Sequence, residues 1–259
     1  MGYGVQGYQN RNHMALLDSG NPALSEKALH RSIVGSGETM TFRGTLNKFG
    51  FLMCLLMGTA FYTWNTYYGG QEPGGYIMAG AIGGLVIALV IAFKQDWAPY
   101  LAPAYAIFEG LLLGALSAVM EHAYAGIVTQ AVLLTFGTVI GMYLLYSFKV
   151  IQATERFKNI VISATMGLAL FYLIAFVLGF FGINIPFIHE GSVWGILFSL
   201  FVVCLAAMNL ILDFDRVEQG VSLGAPRHME WYCAFGLLVT IVWLYIEILR
   251  LLAKMSSRR

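Results

Sequence analysis

Three carboxylic acids, Glu109, Asp213 and Glu247, stand inside long apolar runs of this 259-residue chain. An ionisable side chain in hydrocarbon costs about 2.5–3.5 kcal/mol on insertion scales, so each needs a partner, a proton or a task. Asn209, Asp213 and Arg216 fall at i, i+4 and i+7 and share one helical face. Asp215 points to nearly the opposite side and, with Glu218, reads as a solvated charge. Glu247 has Arg250 within reach one turn on, which is an ion pair in its plainest reading. The sharper reading brings Glu247 to Asp213. Two carboxyls in a low-dielectric site cannot both ionise cheaply and so share a proton. Once deprotonated, such a pair could bind Ca²⁺, a hard cation that prefers carboxylate oxygen. Glu109 has Tyr105 one turn before it and the small residues Ala106 and Gly110 beside it. It reads either as a proton- or cation-responsive site or as a polar staple between helices.

The composition says what must position these groups. Of the residues, 58% are apolar and only 11% charged, against about 25% charged in a soluble domain. Fifteen Lys and Arg against 14 Asp and Glu leave no basic field for nucleic acid. The chain is expected to be an all-α, polytopic membrane protein whose first partner is the lipid bilayer. A tail over 1–46, with the first twenty residues disordered and a short helix from Asn21-Pro22 to Leu29, precedes a transmembrane domain over 47–255. Seven apolar segments fill that domain: 47–65, 75–93, 99–120, 126–148, 158–182, 193–214 and 230–253. Turn chemistry separates them, for example at Tyr68 through Gly75 and Gly220 through Pro226.

Orientation follows from the basic residues. If the segments alternate, eleven Lys and Arg of the tail and of three loops, Arg11 through Arg227, fall on one side. The opposite loops, 66–74, 121–125 and 183–192, hold none. The positive-inside rule then puts the N-terminus in the cytoplasm. Arg250, Lys254, Arg258 and Arg259 conflict with it, because a seventh crossing carries them outside. Seven spans are preferred over a re-entrant last segment. Trp64, Trp97, Trp194 and Trp231 stand at span ends, as interfacial anchors do. Gly80/Gly84, Gly110/Gly114 and Gly137/Gly141 are spaced for close helix packing within the bundle. Cys54, Cys204 and Cys233 read as small packing residues, with neither disulfide nor zinc spacing. No protease, hydrolase or nucleotide-binding motif occurs, and His189-Glu190 lacks the second histidine of a zinc protease. No enzyme activity and no cofactor are expected.

The stretches Asn209 through Gly220, Ala225 through Tyr232 and Ala234 through Leu252 resemble the bacterial Bax inhibitor-1/YccA-like family. Gly20 through Leu24, Met40 through Lys48 and Ala102 through Gly110 agree, so the resemblance covers about residues 20–255. It implies six helices around a central seventh, in the cytoplasmic membrane of a bacterium. It also implies a pH-sensitive Ca²⁺ or cation leak, controlled by one carboxylate from helix 6 and one from helix 7. By motif these are Asp213 and Glu247, a glutamate where the family pattern has aspartate. Helices 2 and 3 contain no arginine to pair with them, which leaves Arg216; Glu109 and Asn209 would line or support the path. Two other functions stay open. One is a non-conducting regulator of another membrane protein, such as a quality-control protease, with the tail from Asn21 to Arg43 as its handle. The other is a proton-coupled transporter.

Overall fold

A computed structural model of the chain describes residues 39–181 and 192–258. The proposed tail helix, the His189-Glu190 pair and most of the 183–192 loop lie outside the described residues. Seven helices run α1 Phe42–Tyr68, α2 Gly74–Phe93, α3 Ala98–Ala123, α4 Ile127–Ser147, α5 Glu155–Phe180, α6 Val193–Ser222 and α7 Met229–Ser256, with a short 3-10 turn at Gln95–Trp97 before α3. All seven are long and apolar enough to cross a membrane. No strand occurs among the described residues.

Local chemistry sets the helix ends. Thr41, Thr154 and Ser192 cap α1, α5 and α6 by accepting from the backbone N–H of Gly44, Phe157 and Gly195. Gly70 and Gly224 take left-handed conformations (φ 86° and 63°) in the turns after α1 and α6. α1 begins at Phe42 rather than 47, because Thr41 supplies the cap and the basic residues Arg43 and Lys48 are accommodated within the helix. α6 overruns its apolar segment by two turns. Asp215, Arg216 and Glu218 continue the helix, and Gln219 bonds back to Asp215 across one turn (2.6 Å).

α7 is the centre of the bundle. It packs against α1, α3, α4 and α6, whereas α2 leans chiefly on α3 and α5 chiefly on α6. Its apolar residues lie on every side, as expected of a helix buried all round, and Leu238, Leu244 and Ala234 are fully buried. α7 is continuous, with no re-entrant break.

The three glycine pairs divide. A Cβ on Gly80 would stand 2.6 Å from the Phe108 carbonyl, and one on Gly110 would stand 2.5 Å from the Leu56 carbonyl. These pairs let α2 and α1 close on α3. Gly137 and Gly141 have nothing within 4 Å, so the third pair packs against no helix among the described residues, contrary to expectation. Cys54 and Cys204 are exposed on the bundle surface and only Cys233 is buried, so two of the three cysteines are not packing residues.

Candidate functional site

Thr240, Glu247 and Lys254 recur every seven residues along α7 and therefore share a face. Each is buried, and each meets a polar group from α6 or α5. The result is a ladder of polar contacts inside the bundle, running along the C-terminal half of its central helix.

At the first rung, Asp213 of α6 is 8% exposed. Its Oδ2 accepts the Thr240 hydroxyl at 2.5 Å, and its Oδ1 takes Arg216 Nη1 at 3.2 Å. Thr240 Oγ1 also lies 3.2 Å from the Gly236 carbonyl. One hydroxyl carries one proton, so Thr240 can serve either acceptor. With Asp213 ionised, Thr240 donates to it. With Asp213 protonated, the acid can donate to Thr240 while Thr240 donates to Gly236 O. Both protonation states are thus satisfied with little movement. A cavity of about 50 Å³, lined by Asp213, Arg216, Tyr232, Cys233, Phe235 and Gly236, adjoins the carboxylate. That is room for a water molecule.

At the second rung, Glu247 is 2% exposed. Arg250 Nη1 reaches both its oxygens, at 3.0 and 3.2 Å, and the Tyr172 hydroxyl of α5 donates at 3.3 Å. Arg250 also bonds the Tyr172 oxygen at 3.2 Å. The plain ion-pair reading of Glu247 and Arg250 is the observed one.

The structure does not bring Asp213 and Glu247 together. The α6–α7 register sets Asp213 opposite Thr240, and Glu247 stands seven residues farther along α7. At 1.5 Å per residue that is about 10 Å. The two carboxylates have different partners, and the group facing Asp213 is a neutral hydroxyl. Asn209, on the same face as Asp213, turns to α5 and donates to Thr165 Oγ1 at 2.9 Å. Arg216 pairs with Asp213 as expected.

Glu109 lies outside the ladder, in the seam between α3 and α2. A Cβ on Gly84 would come 2.9 Å from its Oε1, while its Oε2 is buried with no partner among the described residues. Asp215 and Glu218 are not merely solvated. Lys158 pairs with Asp215 at 2.9 Å and the Tyr146 hydroxyl donates to Glu218.

Sequence reasoning missed three further polar contacts. Lys254 donates to Ser199 Oγ (2.8 Å) and to the Gly195 carbonyl (3.2 Å). Glu230, 3% exposed, accepts from Lys48 and from the Thr41 N–H and hydroxyl (2.8 and 2.9 Å), tying the start of α1 to α7. Thr240 itself is the third. The seven-residue spacing of 240, 247 and 254 was available as a signal. Two of the four basic residues behind the charge conflict at the end of α7, Arg250 and Lys254, have internal partners, which lessens their weight as free flanking charges.

Fold and site together define an all-α, seven-span membrane protein with ionisable groups buried along its central helix. The chain matches the Bax inhibitor 1 like family over residues 21–257 and belongs to that family. No curated protein and no solved structure matches it.

Proposed function

We propose that the protein is a pH-sensitive Ca²⁺ or cation leak, with its tail end on the cytoplasmic side. In this reading Asp213 alone is the proton sensor. The observation that carries it is the Asp213–Thr240–Gly236 arrangement, which joins α6 to α7 in either protonation state beside a water-sized cavity. Protonated Asp213 is neutral and offers a cation no counter-charge. Ionised Asp213 is a negative charge inside the bundle, paired with Arg216, whose side chain is 55% exposed. That charge draws water and cations inward, so flux rises with pH. Glu247, already neutralised by Arg250, supports the fold.

The test is Ca²⁺ entry into dye-loaded proteoliposomes between roughly pH 6 and 8, the physiological range in which a proton switch acts. Protein-dependent entry that rises with pH supports the reading. Entry no greater than in empty liposomes, with correctly folded protein, rejects it. A second reading, a non-conducting regulator that docks a helix of another membrane protein, draws support from the unpacked Gly137 and Gly141 of α4. Vesicles containing this protein alone separate the two, because a regulator carries no flux there.

A further inference from the structure

α1 and α4 both pack on α7 and α3 but have no substantial contact with each other. Between them lies a cavity of about 390 Å³. Met57 and Phe61 of α1 and Val132 and Phe136 of α4 form its sides, and Ile241 and Tyr245 of α7 form its back. It follows α1 from Met53 to Trp64, twelve residues, or about 16 Å of helix. That is about half of a 30 Å hydrocarbon core.

The chemistry of the walls says what fits. Most polar groups on the lining have protein partners. Ser117 Oγ and Tyr245 Oη bond each other at 2.6 Å, and Thr135 donates to the Ala131 carbonyl at 2.7 Å. Glu121, at the Trp64 end, accepts the backbone N–H of Gly126 and Val128 at 2.6 and 3.0 Å. Little remains to fix a polar ligand or hold water. The mouth opens between two membrane-spanning helices whose flanking side chains, Met57, Phe61 and Phe136, are exposed. Hydrocarbon is the medium they meet.

The geometry points to a binding site for one phospholipid acyl chain in this crevice. The head group lies at the Trp64 and Glu121 end, where α1 and α3 reach the interface, and the chain runs inward toward Met53. Its inner contact is the Ile241–Tyr245 turn of α7, between Thr240 and Glu247, so the bound chain braces the central helix on a side that α6 does not cover. The proposal does not depend on whether the protein conducts.

The test reconstitutes the full chain in vesicles doped with a phospholipid carrying a photoactivatable diazirine in its acyl chain, then maps the adducts by mass spectrometry. Adducts are expected on α1 between Met53 and Trp64 and on α4 between Val128 and Phe136. They should exceed those at Leu170 and Leu173, which face lipid on α5 and are 57% and 58% exposed. Val132→Trp fills the crevice and should bring α1 and α4 labelling down to the α5 level. Leu133→Trp, on the lipid-facing side of α4, should leave it unchanged. Thr129→Trp, at an exposed position on the cavity wall, serves where Val132→Trp does not fold. Equal labelling of α1, α4 and α5 in the wild type would mean ordinary boundary lipid and overturn the proposal. So would labelling that survives crevice filling, or a cross-linked dimer through α1 and α4 in place of lipid adducts.

Discussion

Asp213 and Glu247 are built on one plan, a buried acid with an arginine three residues later on the same helix. Their surroundings give them opposite characters. Glu247 has both oxygens on Arg250 and a third contact from Tyr172. Asp213 has one oxygen on a largely exposed Arg216 and the other on Thr240, a hydroxyl that can donate or accept. The first is a fixed ion pair. The second can take up a proton without breaking the helix contact. Sequence type and spacing are nearly identical at the two sites, so the difference comes from what the neighbouring helix presents.

The comparison breaks most visibly at Glu247. Glu247→Ala leaves the Arg250 guanidinium without its counter-charge. It should destabilise the protein by about 3 kcal/mol, the low end for a buried pair because Arg250 is partly exposed. Denaturation in mild detergent reads this out, and the double variant Glu247→Gln with Arg250→Gln should recover most of the loss. A loss below about 1 kcal/mol would place Glu247 among weak surface pairs and remove its structural role. At the other site, Thr240→Val deletes a hydrogen bond to a charged group, worth about 1.5–3 kcal/mol. Thr240→Ser should keep it. If Val and Ser unfold alike, the hydroxyl is not what joins α6 to α7.

Smaller effects sharpen the contrast. Tyr172→Phe removes one donor from the Glu247 carboxylate and should cost about 1.5 kcal/mol in the same assay, the low end for a bond to a charged group because the contact is long (3.3 Å), with no change in the pH profile of flux. Arg216→Gln should cost about 0–1 kcal/mol, as exposed ion pairs do. It should nevertheless displace the pH profile, because it removes the cation nearest Asp213. A profile that moves with Tyr172→Phe but not with Arg216→Gln would reverse the two assignments.

Much of the fold was legible because a bilayer imposes simple requirements. Seven apolar runs of spanning length became seven helices, and the Gly80 and Gly110 pairs became close contacts. Three features were not legible, each for a physical reason. α6 runs past its apolar segment because Gln219 and Lys158 satisfy Asp215, so its charges do not end the helix. Gly137 and Gly141 have the same spacing as the packed pairs, but spacing tells where backbones can approach, not whether a helix is there. The Asp213–Glu247 pair failed on register. Residue type said that both acids were buried, yet only the α6–α7 packing decides that Asp213 faces position 240. Burial of Lys254 and Glu230 was obscured because their partners, Ser199 and the start of α1, are distant in sequence.

The central claim is that a single carboxylate, Asp213, carries the pH response. The direct measurement is the pH profile of Ca²⁺ entry into proteoliposomes for wild type, Asp213→Asn and Glu247→Gln, each at matched amounts of folded protein. The account predicts entry that rises with pH in the wild type, a flat profile in Asp213→Asn, and an unshifted profile in Glu247→Gln. Equal loss of the pH response in both variants would contradict it and restore a coupled pair.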